Sequence, residues 1–164
     1  MTKNIISYIL AIMNIVKNIE QYDENCVIFC EPIKNNVMNE GMFIRIIYST
    51  PNIVLNGIYI LITLHDILCE KYYTKYKCLF NAVTHQETIE RLRIIEDELL
   101  KKINIAHKNP QNKIHEQLKN GHLKVFSELE NNTTASFIVK ISGIWETQFN
   151  YGLTYKFIKI NRLV

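Results

Sequence analysis

Residues 136–160 read SFIVKISGIWETQFNYGLTYKFIKI, two runs that alternate between apolar and polar positions around a short polar segment at Asn150. A period of two is the pattern of strands with one buried face, and two such runs joined by a short polar stretch predict a β-hairpin. Into it are placed the only tryptophan, Trp145, the aromatics Phe149, Tyr151 and Tyr155, and the lysines Lys140, Lys156 and Lys159. A curved sheet with aromatics and lysines can bind single-stranded nucleic acid by stacking and phosphate contact. The same residues also suit an ordinary half-buried hairpin.

The rest of the chain reads as further strands around one strong helix. Residues 26–33 predict a short strand ended by Pro32, and residues 42–50 a strand rich in β-branched and aromatic side chains. Residues 54–65 predict the next, with Asn56-Gly57 marking a turn or bulge. Residues 71–80 alternate lysine and tyrosine and predict one more strand. Thr84 and Glu87 have capping-box spacing, and Ile89, Leu92, Ile95, Leu99 and Ile103 then recur on one helical face, predicting a central helix over 85–104. Residues 113–120 predict a short helix stopped by Gly121, and residues 122–129 a strand. Near the start, Ile5, Ile9, Ile12, Val16 and Ile19 fall at helical spacing, predicting an amphipathic N-terminal helix over 1–22.

The expected fold class is α+β: a mainly antiparallel, OB-like barrel sheet with one long amphipathic helix and an added N-terminal helix. At 164 residues, with 48% hydrophobic and 21% charged residues, the chain suits a single globular domain over 1–164, its β-rich body over 23–164. No stretch reaches the ~18–20 unbroken apolar residues of a membrane span, so no membrane partner is expected. The four cysteines, Cys26, Cys30, Cys69 and Cys78, lack the density of a disulfide scaffold and read as reduced, intracellular thiols.

Catalytic chemistry has little to stand on. Cys26 and Cys30 on a strand lie about 13 Å apart, too far for one ion. Cys69 and Cys78, with His65 or His85, lack paired-knuckle spacing, so no metal and no cofactor is expected. His107, His115 and His122 sit in polar segments, and no nucleophile elbow, phosphate loop or zinc-protease motif is present. The expectation is a non-enzymatic protein.

Binding chemistry is better supplied. On a strand over 71–80, Lys71, Tyr73, Lys75 and Lys77 would share one face, poor as core and good for tracking phosphates. Arg45 alternates with apolar neighbours and needs solvent or a partner. Tyr59, Trp145 and Tyr155 offer stacking surfaces worth about 1–3 kcal/mol per base, and Lys140 and Lys156 add cations. These ten residues, Arg45, Tyr59, Lys71, Tyr73, Lys75, Lys77, Lys140, Trp145, Tyr155 and Lys156, form the candidate nucleic-acid-binding set. The net charge of +3 permits such a face without demanding one.

Residues 43–60 (FIRIIYSTPNIVLNGIYI), 113–121 (KIHEQLKNG) and 140–157 (KISGIWETQFNYGLTYKF) resemble a group of small proteins of large eukaryotic DNA viruses and virus-like mobile elements. The resemblance covers most of the chain from Cys26 onward. The count of 27 Ile, 18 Asn and 15 Lys against 4 Ala and 4 Arg is an AT-rich codon bias that suits such an origin. The resemblance implies a viral single-stranded DNA-binding protein with an oligonucleotide-binding fold, acting in viral genome replication or repair in the host cytoplasm or nucleus. Expected partners are single-stranded DNA, with RNA as the other nucleic acid to test, a second copy of the chain, and replication proteins. The competing expectation is a virion component or other viral interaction protein with no nucleic-acid role. Lysines converging on one face would favour the first, and scattered lysines the second.

Overall fold

The structure is a computed structural model and describes residues 15–38, 40–126 and 134–160. Its elements, in chain order, begin with β1 (Lys17–Asn18), β2 (Val27–Phe29), β3 (Ile33–Lys34), β4 (Met42–Ser49), β5 (Val54–Leu55) and β6 (Ile58–His65). They continue with β7 (Leu68–Tyr72), β8 (Lys75–Leu79), α1 (Gln86–Ile103), β9 (Asn109–Gln111), α2 (Lys113–Lys119), β10 (His122–Val125), β11 (Thr134–Glu146) and β12 (Asn150–Ile160).

The predicted C-terminal hairpin is the axis of the larger sheet. β12 pairs antiparallel with β11 from Ser136 to Glu146, with a bulge between Ile141 and Gly143. On the other edge of β11, β6 pairs with residues up to Ile141 and β4 with Gly143 to Glu146. The bulge is thus the point where one neighbour replaces the other. Gly57 makes the exchange possible: its φ is +115°, and a Cβ there would lie 2.7 Å from the Ile141 carbonyl oxygen. Only glycine tolerates both the conformation and the approach. β4 bends away beyond Arg45, and Ile46–Ser49 pair with β2 and β5 instead.

The architecture is α+β, strand-rich and mainly antiparallel; β1 on β6 and β9 on β12 are the parallel additions. The closed barrel expected from the sequence is not formed, because β1 and β9 are the ends of an open strand order and do not pair with each other. A second sheet, β10-β8-β7, contributes Cys78, Leu123 and Val125 to the same buried cluster as the inner face of the first. α1 buries Ile89, Leu92, Ile95, Leu99 and Leu100 against this core, and α2 adds Ile114 and Leu118. Each such side chain contributes roughly 1.5–3 kcal/mol of burial.

Three local expectations need correction. Residues 1–14 of the expected N-terminal helix lie outside the described residues; further along it, Lys17–Asn18 form a parallel strand and Ile19–Gln21 a 3-10 turn. The edge of β6 offers unpaired backbone groups, and pairing there outweighs helical spacing. Residues 71–80 are not one strand: Tyr73, at φ 54°, and Thr74 turn the chain between β7 and β8. The capping box does not form. Thr84 Oγ1 donates to the Asn81 carbonyl, and His85 occupies the cap position of α1. Among the described residues no helix is long and apolar enough to cross a membrane.

Candidate nucleic-acid interface

Strand alternation decides which candidates meet. Along β6 and β11 the inward side chains are Ile58, Ile60, Ile62 and Leu64, and Phe137, Val139 and Ile141, all buried. The residues between them point outward. Tyr59, Lys140 and Lys156 lie in one row across β6, β11 and β12, because Lys140 pairs with both Tyr59 and Lys156. Lys140 Nζ stands 5.2 Å from the Tyr59 ring centroid, in cation–π contact. The bulge resets the alternation of β11, so Ile144 turns inward and Gly143 and Trp145 turn outward. Arg45, opposite Gly143, joins them and donates from Nη1 to Asn56 Oδ1 at 3.1 Å.

Five of the ten predicted residues, Arg45, Tyr59, Lys140, Trp145 and Lys156, therefore share the outer face of the larger sheet. No outward position of β4, β6, β11 or β12 carries a carboxylate. Lys140 and Lys156 are directly opposite each other, an arrangement that like charges disfavour. Glu146, the one acid of these strands, pairs with Lys108 on the inward register.

At the Trp145 end the face deepens into a groove of about 400 Å³. Ile33, Val37, Met38, Phe43 and Trp145 give it an apolar lining, with Lys34 and Thr154 beside them. The Phe43 ring lies over Gly143 and the Trp145 indole over Gly152, where added Cβ atoms would sit 2.6 Å and 2.7 Å from the nearest ring atoms. Two glycines thus let two aromatic rings come into close contact with the sheet backbone. Asn35 Oδ1 accepts from the backbone N–H groups of Val37 (3.0 Å) and Met38 (3.3 Å) and fixes the loop that walls the groove. Phe43 and this loop were missed in the sequence, although Phe43 is two residues from Arg45 and so on its side of the strand.

Four other candidates lie on the second sheet. Lys75 and Lys77 point outward there with Tyr72 and Glu70, and Lys124 of β10 joins them. Lys75 covers the Phe126 ring and Lys124 the Tyr72 ring, both at 4.8 Å. Tyr73 stands in the turn, 84% exposed. Lys71 pairs with Tyr76 and takes the opposite side, because the turn breaks the alternation that would have grouped it with Lys75. The two lysine groups belong to different layers with the core between them; they do not converge.

Tyr155 is on neither surface. It pairs with Ile141 before the bulge and faces inward, where its hydroxyl shares a proton between the Lys113 carbonyl (3.1 Å) and Gln117 Oε1 (2.7 Å). Burial, with Glu96 and Glu116 nearby, pushes its phenol up to about 12.

Glu96 is the charged group the sequence did not single out. It is fully buried on α1 and accepts from the backbone N–H of Ile114 (2.9 Å) and His115 (2.8 Å), capping α2 from another helix. Burial raises its carboxyl to about 7 against the pull of those two hydrogen bonds. Cys69 and Cys78 are opposed across β7 and β8, with Sγ atoms 3.3 Å apart. Among the described residues no three His, Cys, Asp or Glu side chains come together as metal ligands.

Comparison with protein-family models, with curated protein sequences and with solved structures returns no match.

Proposed function

We propose that the chain binds single-stranded nucleic acid without sequence preference, through the outer face of the larger sheet. The observation that carries this reading is the opposed pair Lys140–Lys156 on a face where the outward positions of β4, β6, β11 and β12 carry no carboxylate. The two lysines are opposed across β11 and β12, with Lys140 Nζ over the Tyr59 ring, and a phosphate bound along this row would be attracted by both cations. Tyr59 and Trp145 lie on the same face as stacking surfaces for bases. Arg45 adds a third cation. Beyond Arg45, β4 leaves β11 and pairs with β2 and β5, so the strand that carries Arg45 borders this face at its end. The resemblance of residues 43–60, 113–121 and 140–157 to small proteins of large DNA viruses and virus-like mobile elements would give this reading its setting in viral genome replication or repair. Binding of this kind involves no catalysis and no cofactor.

A protein-partner reading has one observation in its favour. Lys75 and Lys77 are separated from Lys140 and Lys156 by the core, and Lys71 shares neither face, so the lysines do not form one continuous phosphate track.

The deciding experiment is titration of the purified chain with a labelled oligo-dT of about 30 nucleotides, longer than the ~4–16 nucleotides of one oligonucleotide-binding site. It is run at about 50 and 200 mM salt, with duplex DNA as control. Single-strand binding that weakens steeply with salt supports the nucleic-acid reading. Absence of binding, or binding indifferent to salt, overturns it and leaves the protein-partner reading.

A further inference from the structure

The groove beside Trp145 is more specific than an aromatic on a basic face needs to be. Val37 is 95% exposed, Ile33 51% and Met38 39%, so three apolar side chains stand in water around a half-buried indole. The wall is preformed, since Asn35 holds the backbone of Val37 and Met38. The floor is fixed as well, since the indole rests on Gly152 and cannot settle lower. A ligand entering such a groove orders little and removes apolar surface from water on both sides.

We propose that this groove is a one-base subsite: a single unstacked nucleobase of the bound strand enters it and stacks against Trp145. The proposal rests on the single-strand reading above and adds where a base is held. A nucleobase has two apolar faces and a polar rim, and the groove has apolar walls with the side chains of Asn36 and Thr154 among them. Asparagine and threonine each offer a donor and an acceptor, which any base edge can satisfy, so the site would not select sequence. Charge complementarity chooses a nucleotide over an apolar peptide side chain. Lys34 lines the groove, Arg45 lies on the strand next to Gly143, and no acid occupies an outward strand position nearby. The phosphates flanking the inserted base would then meet cations on either side.

The test uses the intact chain and reads two signals together: anisotropy of a labelled oligo-dT, which reports binding anywhere, and emission of Trp145, the only tryptophan, which reports the groove. A second oligonucleotide of equal length carries abasic sugars throughout, so its backbone charge is unchanged. The expected result is quenching of Trp145 by oligo-dT, no quenching by the abasic strand, and about tenfold or greater weakening for the abasic strand. Val37→Glu, at an exposed position that leaves folding intact, should weaken oligo-dT binding by a similar factor. Tight, salt-sensitive binding of oligo-dT with Trp145 emission unchanged would overturn the subsite and leave the face reading standing. So would equal quenching by both strands. Failure of oligo-dT to bind at all would overturn both.

Discussion

Trp145 packs directly against Gly152: a Cβ built on Gly152 would stand 2.7 Å from the indole Cζ2 and 2.9 Å from Cε2. The two residues face each other across β11 and β12, and the missing side chain of one is the seat of the other. Gly152→Ala should therefore lift the indole off the sheet. We expect a red shift of Trp145 emission as the ring becomes wetter, and a stability loss of about 1–3 kcal/mol for the overpacked pair. Emission and unfolding midpoint both unchanged would mean that the ring does not rest there.

Much of this geometry was legible in the sequence, and its failures have identifiable causes. The alternation of residues 136–160 predicted the hairpin that the structure places at the centre of its main sheet. The apolar spacing from Ile89 to Ile103 predicted α1 within a residue at each end. The side each side chain takes was less legible. One bulge between Ile141 and Gly143 sends Trp145 outward, and one turn at Tyr73 separates Lys71 from Lys75, while Tyr155 faces inward by ordinary alternation with its neighbour Lys156. Both events shift the alternation by a single residue, and a shift of one exchanges the faces of everything beyond it. Closure of the sheet depends on which edges meet, and local pattern carries no signal for that. The groove wall from Ile33 to Met38 is brought to Trp145 by the local pairing of β3 with β4 and by the pairing of Phe43 with Trp145, a contact between distant parts of the chain with no local trace.

Glu96 makes stability depend on pH in a direction opposite to most carboxylates. Its carboxyl is raised from 4.5 to about 7 by burial. Below about 4.5 the folded and unfolded chains both carry the proton, and above about 7 neither does. Between these values the folded chain keeps a proton that the unfolded chain has released, so this group's contribution falls as pH rises through that window. The loss is on the order of 1–3 kcal/mol. Glu96→Gln retains an oxygen that can accept from Ile114 or His115 and removes the titration. Urea unfolding of both chains between about pH 5 and pH 7.5 should show wild-type stability falling relative to the variant. Parallel curves would count against a raised Glu96.

Tyr155→Phe and the double variant Lys75→Ala/Lys77→Ala separate residues that merely resemble binding groups from those on the proposed face. Tyr155→Phe removes a hydroxyl bonded to the Lys113 carbonyl and Gln117, and should cost about 0.5–1.5 kcal/mol of stability. Oligo-dT affinity should stay within about twofold of wild type, because the ring faces the helices. The double lysine variant sits on the second sheet and should likewise leave affinity near wild type. A tenfold loss in either would move the interface away from the outer face of β11 and β12.

Lys156→Glu sets function against stability. In the free protein it replaces two like charges directly opposite each other by an ion pair, with Lys140 as the partner across β11 and β12. Opposite charges in such a position contribute roughly 0.2–1 kcal/mol, so the variant should unfold at slightly higher urea than wild type. In the proposed complex the same change removes one phosphate contact and places an anion beside the strand. Each lost contact lowers the dependence of log K on log salt by about 0.7 for a single strand, and the added repulsion weakens binding further. A chain that is more stable and binds oligo-dT less tightly, with a flatter salt dependence, is the outcome expected if the Lys140–Lys156 pair exists to meet phosphate. Unchanged affinity together with the gain in stability would mean that the pair serves no anion, and the weight would pass to a protein partner on this face.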